Sequence, residues 1–320
     1  MIQLEGRTVI ITGAGNGLGR AHALAAGKLG ANVIVSDIGG SNDGRGSSTT
    51  PADFVVEEIR SAGGTAIANY HSVAQDEGCR SLAEVALAEF GRIDAVIHNA
   101  GILRNALIGA MTDDLFFPVL ETHLLGGFYL TRAVFPTMVE QAYGRFVYTS
   151  SAVGVWGRPG GSANYGISKA GLVGLCNAVA HEGEAHGITA NAVMPLARTR
   201  IVAGGPDDHD HSPEANAARH ARDGDDPRSM PEWVSPLVMY LASEQCAVSR
   251  RSYSAGYGRY AQIFSGVTPG WYAPDGRTPT ADDVAANLAT IEDRSEYDLP
   301  DHVFHEIELL RARHAGAMPA

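Results

Sequence analysis

Tyr165 and Lys169 stand four residues apart in Tyr165-Gly166-Ile167-Ser168-Lys169, so a helix there places a phenol and an ammonium on one face. A free phenol titrates near about pH 10, too high for a base at neutrality, and a neighbouring positive charge favours its phenolate form. The pair can then take a proton from a hydroxyl or return one to a carbonyl oxygen. Ser151, closing a strand pattern fourteen residues earlier, can hydrogen-bond that same oxygen. Tyrosine and lysine at this spacing also occur as surface decoration. Against that stands the cation inventory: Lys28 and Lys169 are the only lysines among 24 lysines and arginines, and a planar guanidinium does not replace a compact ammonium.

A second constellation precedes it. Thr12-Gly13-Ala14-Gly15-Asn16-Gly17-Leu18-Gly19 separates an apolar strand pattern from a helical one. Gly13, Gly17 and Gly19 permit a tight turn and let a pyrophosphate approach the backbone above a helix N-terminus. In a chain with 38 glycines the same run can be an ordinary turn, but strand before and helix after argue for a dinucleotide cradle. Asp37, eighteen residues beyond Gly19, can accept both ribose hydroxyls, or merely cap a turn. As a ribose ligand it favours NAD over NADP, because it repels a 2′-phosphate and neither Asn16 nor Ile38 supplies a cation. Arg45 is the cation nearest in sequence.

These residues need a scaffold. The chain alternates strand Thr8–Thr12, helix to Lys28, strand Asn32–Ser36, helix Pro51–Ser61, strand Thr65–Asn69, helix Asp76–Phe90 and strand Ala95–His98. Thr112 opens a long helical region that Pro136 should kink or divide. Strand Arg145–Ser150, helix Tyr165–His186, strand Thr189–Val193 and helix Pro231–Leu241 follow. That order implies an α/β fold: a doubly wound, Rossmann-type parallel sheet of six strands with helices on both faces. Residues 1–270 are expected to form one NAD-binding catalytic domain, and 271–320 a C-terminal helical extension containing the cap-like Thr280-Ala281-Asp282-Asp283. Gly39–Thr50 and Val202–Ser229 lack periodicity and read as mobile surface loops, with 196–230 as a lid over substrate.

Composition excludes other classes. The 24 lysines and arginines against 36 acidic residues leave a net charge of −12, which disfavours nucleic acid and membrane surfaces. Cys79, Cys176 and Cys246 have no metal or disulfide spacing and suit a reducing compartment. Asp207-Asp208-His209-Asp210-His211 offers ligand types on an acidic loop, but no metal is expected there. No apolar run is long enough to span a bilayer, no secretory leader pattern opens the chain, and it ends Met318-Pro319-Ala320 without a peroxisomal signal. A cytoplasmic location is expected.

In this order, the Thr12–Gly19 loop, His98-Asn99-Ala100-Gly101, Ser151, Tyr165 with Lys169, and Asn191–Pro195 make the chain resemble the short-chain dehydrogenase/reductase family over roughly residues 5–245. Within the family it is most similar to the (3R)-hydroxyacyl-CoA dehydrogenase part of peroxisomal multifunctional enzyme type 2. That likeness is carried by Ser36-Asp37-Ile38-Gly39-Gly40 with its long following loop, Val55–Ile59, Ala100–Arg104, Tyr143-Gly144-Arg145 and Pro231–Leu241. The resemblance implies NAD, a secondary alcohol interconverted with a ketone, and a 3-hydroxyacyl-CoA or steroid-derived acyl-CoA substrate. It implies catalysis by Ser151, Tyr165 and Lys169, with His123 where most members carry the asparagine of a proton relay. Cofactor contacts are implied at Gly13, Asn16, Gly17, Leu18, Gly19, Asp37, Ser72, Val73, Asn99, Ala100, Gly101, Tyr165, Lys169, Pro195 and Thr199. Alternatives are a free hydroxysteroid or simple alcohol substrate, or a protein that senses NAD without turnover.

The chain also departs from the family pattern. His71 stands where an aspartate usually meets adenine, one extra residue lies within Arg158–Gly161, and Leu196 replaces a common glycine. Arg104, Arg158, Arg198 and Arg200 can meet CoA phosphates or be ordinary surface charges. Apolar and small residues surround helix 165–186 on most sides, so a homodimer or homotetramer is expected, with the chain's own tail as the alternative cover.

Overall fold

Val9, Ile10 and Ile11 are all wholly buried, because β1 (Thr8–Thr12) lies inside a parallel sheet covered on both faces. The computed structural model describes residues 1–158, 160–198, 226–274 and 276–317, the last four through their backbone only. Alternate side chains of β1 feed two cores: Val9 and Ile11 join one apolar cluster, Ile10 the other. The first cluster includes α1 (Gly17–Lys28), α2 (Thr50–Ser61) and α8 (Ser235–Leu241). The second includes α3 (Asp76–Phe90), α5 (Gly126–Glu140) and α7 (Ala163–Gly183).

The sheet runs β3-β2-β1-β4-β5-β6-β7-β8, with β2 Asn32–Ser36, β3 Thr65–Asn69, β4 Ala95–His98, β5 Gly144–Thr149, β6 Ile188–Pro195, β7 Arg251–Gly256 and β8 Arg259–Ile263. Strands β1 to β7 pair in parallel, Ile10 lying between Ile34 and Val96. The doubly wound fold expected from the sequence is therefore present, with two more strands than expected. Tyr257 and Gly258 both take positive φ, 54° and 77°, the primed two-residue turn that joins β7 to β8 as a hairpin. The strand order reverses between β1 and β4, opening a crevice at their C-terminal ends.

The helical region after Thr112 is divided, but not at Pro136, which sits inside α5. The break is a wide π turn, Glu121–Leu125, between α4 (Asp113–Leu120) and α5. Pro118 lies inside α4 and offers no N–H to the Asp114 carbonyl; that carbonyl accepts instead from Arg104 at 2.6 Å.

The Gly39–Thr50 loop is a hydrogen-bonded structure. Ser41 N–H donates to Arg45 O, Ser48 N–H to Ile38 O and Leu103 N–H to Asn42 O, each at 2.9 Å. Arg104 Nε donates to Asp43 O at 2.8 Å. The chain divides into two compact units, Met1–Gln262 and Ile263–Ala320. Within the second, α9 (Ala281–Ala286) starts at a full capping box between Thr280 and Asp283; α10 (Leu288–Ile291) and α11 (Val303–Ala317) follow. Among the described residues, no helix is long and apolar enough to cross a membrane.

Candidate active site

The crevice is organised by Thr12, the last residue of β1. Its buried hydroxyl accepts the N–H groups of Asn99 and Ala100, both at 3.0 Å, which ties the loop after β4 to the loop after β1. Asn99 returns the tie through Nδ2, which donates to Thr12 O and Gly13 O. Space here is set by missing Cβ atoms. A Cβ on Gly13, whose φ is 63°, would stand 2.8 Å from Ala100 Cα, and one on Gly19 only 2.1 Å from Gly13 O. The first turn of α1 therefore lies directly beneath the loop.

Asp37 does cap a turn: Oδ1 accepts from Gly39 N–H and Oδ2 from Gly15 N–H, both at 2.7 Å. It also lines a cavity of about 280 Å³. Gly13, Asn16, Gly17, Leu18, Ser72, Val73, Asn99, Ala100 and Gly101 line the same cavity. Gly19 lies behind the wall, Pro195 ends β6, and Thr199 falls outside the described residues, as do most of the 196–230 lid and Asp207–His211. Arg104 also lines the cavity, as do Ser41, Asn42 and Gly44, which the sequence hid in a stretch whose Gly, Ser and Asn content reads as mobile. Arg45, the cation nearest Asp37 in sequence, pairs with Asp43 at 3.3 Å. Bare backbone at the loop and a rigidly held carboxylate at the rim fit the adenosine diphosphate end of a dinucleotide.

Helix α7 brings the other group together. Its first turn is pinned by the buried Asn164, whose Nδ2 donates to Arg104 O and Leu115 O at 2.7 and 2.8 Å, and whose Oδ1 accepts Tyr165 N–H at 2.7 Å. Lys169 is buried one turn on, its ammonium donating to Thr149 O at 2.5 Å and lying 5.5 Å from the centre of the Tyr165 ring. Ser151 hydrogen-bonds the Tyr165 phenol. His123, carried by the π turn, stands edge-on to the Tyr165 ring at 5.3 Å. Ser151, Tyr165, Lys169 and His123 thus share one site.

Electrostatics there are governed by lost solvent. Burial pushes the Lys169 ammonium down to about 7. It also holds His98 down at about 4, aided by repulsion from Lys169, and His123 well below its ordinary value. The Tyr165 phenol is pushed up by burial, against which the Ser151 hydrogen bond and the Arg158 charge pull down. Arg158, which the sequence did not single out for this role, thus joins Lys169, whose ammonium lies 5.5 Å from the centre of the same ring.

The imidazole of His123 does not reach for the lysine. Its Nε2 faces the Ile102 backbone, 2.9 Å from O and 3.1 Å from N, while Nδ1 is buried and meets no partner among the described residues. Its carbonyl accepts His98 Nε2 at 2.8 Å. Because the Thr12 hydroxyl already accepts two N–H groups, its own proton goes to His98 Nδ1 at 3.2 Å, which leaves the His98 proton on Nε2. Sequence reasoning missed His98, Asn164 and Thr149; the imidazole in His98-Asn99-Ala100-Gly101 was the available signal for the first.

Residues 7–203 match the short chain dehydrogenase family. The chain belongs to that family. This short chain dehydrogenase is 40% identical over 292 residues to a protein of Mycobacterium tuberculosis named as a short-chain type dehydrogenase/reductase, covering 91% of this chain and 96% of that one. It is 41% identical over 259 residues to mouse peroxisomal multifunctional enzyme type 2, covering 80% of this chain but only 32% of that enzyme. It is 33% identical over 323 residues to the hydroxyacyl-CoA dehydrogenase ChsB1 of Mycobacterium tuberculosis, covering 96% and 94% of the two chains. As a family member the protein is an oxidoreductase.

Proposed function

We propose that this protein is an NAD-dependent dehydrogenase of the cytoplasm that interconverts a secondary alcohol and a ketone, on a 3-hydroxyacyl-CoA or a steroid-derived acyl-CoA. The observation that carries the proposal is the clustering of Ser151, Tyr165 and Lys169 on one helix and the adjoining strand end. The likeness to ChsB1 and to the multifunctional enzyme supports the substrate class. The capped Asp37 carboxylate supports NAD, since a 2′-phosphate there would face a fixed negative charge.

In this reading, Gly13, Gly17 and Asp37 hold the adenosine diphosphate end, and Asn99, Tyr165 and Lys169 the nicotinamide end. Bound NAD supplies the hydride acceptor for the carbinol carbon. Ser151 orients the substrate hydroxyl, and Tyr165 as phenolate takes its proton. Lys169, with an ammonium brought down to about 7, accepts or releases a proton near neutrality and so resets the phenol. A second copy of the chain is the proposed cover for Ile167, Ala170, Gly174 and Ala178, which lie exposed along α7.

The test is Tyr165→Phe, assayed by NADH formation with a short 3-hydroxyacyl thioester and by NAD binding. The expected result is a fall in kcat/KM of about 10³-fold or more with NAD affinity kept. Full turnover by the variant, or none by the unmodified protein with any secondary alcohol, rejects the proposal.

A further inference from the structure

Between Ser151 and Tyr165 the chain passes through Trp156-Gly157-Arg158 and, beyond 159, Gly160-Gly161-Ser162. Both ends of this passage are clamped. Gly154 packs on the backbone of α7, where an added Cβ would stand 2.6 Å from Ala170 N, and Gly161, with φ 80°, packs on Ala106, where a Cβ would stand 2.4 Å from the carbonyl oxygen. Ser162 and Ala106 form an isolated β-bridge. Gly157, at φ 71°, and Gly160, at φ 90°, supply the turns that a side-chain-bearing residue would resist.

Arg158 is held in this clamped loop. Its Nη2 is shut away from solvent, yet it meets no acceptor among the described residues. Leaving a charged N–H group shut in and unmatched is unfavourable, and no hydrogen bond among the described residues of the loop offsets it. The loop that carries it joins Ser151 to Tyr165 and packs on α7 at Gly154 and on Ala106 at Gly161, and the charge of the same guanidinium is felt at the Tyr165 phenol, so the unmatched donor lies beside the reacting end of the site. A plain secondary alcohol brings one oxygen, which Ser151 and Tyr165 already engage. A substrate that carries a second acceptor would match the free donor.

We propose that Arg158 determines specificity by donating from Nη2 to the acyl carbonyl oxygen of a 3-hydroxyacyl thioester. In such a substrate that carbonyl is one methylene from the carbinol carbon, so both oxygens can turn toward the same wall of the site. The inference rests on the dehydrogenase reading above and names the substrate feature that the site selects.

The experiment compares the unmodified protein, Arg158→Gln and Arg158→Lys in the full chain with NAD. Three substrates are used: the 3-hydroxybutyryl thioester of N-acetylcysteamine, free 3-hydroxybutyrate and 2-butanol. Arg158→Gln should lower kcat/KM on the thioester about 10- to 100-fold more than on 2-butanol, mostly through KM, and retain NAD affinity and Tm. Arg158→Lys should recover part of the loss. Equal losses on thioester and plain alcohol make Arg158 merely structural and overturn the inference, as does no loss at all. A loss confined to the free acid overturns the thioester assignment. If the unmodified protein oxidises the thioester while Arg158→Gln is unaffected, only this inference fails; if it oxidises none of the three, the dehydrogenase reading falls with it.

Discussion

At the glycine-loop end of the crevice, recognition is written in the main chain: the N–H groups of Gly15 and Gly39 fix one carboxylate, and bare Cα positions leave room that a single methyl would fill. At the Tyr165 end the wall is made of side chains, and Lys169, His98 and His123 are buried deeply enough that their ordinary titration is displaced. The first end works by shape, which any added atom spoils. The second works by withholding water, which makes protons movable near neutrality. The two share one hinge of hydrogen bonds at Thr12, whose hydroxyl serves both the Asn99 loop and His98.

The largest effect that separates the two ends is expected at Lys169. Lys169→Met should lower kcat/KM about 10³-fold and change the stability profile as well. Burial brings the folded-state value from 10.5 to about 7. Between those pH values the unfolded chain holds a proton that the folded chain has released, so this group makes stability rise with pH across that window. Thermal unfolding of Lys169→Met from pH 7 to 10 should show the rise flattened. An unchanged slope would mean that the ammonium is not desolvated.

A smaller effect tests the shape-built end. Asp37→Ala should weaken NAD binding about 10- to 100-fold and raise the NADP to NAD affinity ratio, measured by calorimetry. It should also cost about 1–2 kcal/mol of stability, because Gly15 and Gly39 lose their acceptor. Unaltered discrimination between the two dinucleotides would remove the carboxylate from cofactor choice.

The smallest effect lies away from both ends. His22 in α1 is buried against Ser235, 2.9 Å away, and burial pushes it down to about 3. Its stabilising contribution is complete above 6.5 and is lost as pH falls toward the folded-state value, since the unfolded chain then binds a proton that the folded chain refuses. His22→Gln should reduce the loss of stability between about pH 6.5 and pH 5 by about 1–2 kcal/mol. His98 and His123 retain the rest of the acid sensitivity, so a variant with no acid sensitivity left would contradict their burial.

What the sequence disclosed follows from what leaves a local mark. Val9, Ile10 and Ile11 announce a strand covered on two faces, and glycines flanked by strand and helix announce the cradle. Strands β7 and β8 leave a weaker mark, because Arg251, Ser252, Ser254, Arg259 and Gln262 dilute the apolar signal. Loop 39–50 misleads because small polar residues suit a mobile turn and a hydrogen-bonded one equally. The acidity of Tyr165 was beyond reach for another reason. It depends on which cation ends up beside the hydroxyl, and the ammonium of Lys169 is drawn to the Thr149 carbonyl. Only tertiary placement decides that.

The wide turn at Glu121–Leu125 holds one residue more than an ordinary helix would use. Each residue of an α-helix advances the side-chain direction by about 100°, so deleting a single residue there would convert α4 and α5 into one continuous rod and swing His123 off the Ile102 backbone. The insertion acts as a spacer of angle, letting a helix that packs against the sheet also present an imidazole to the crevice.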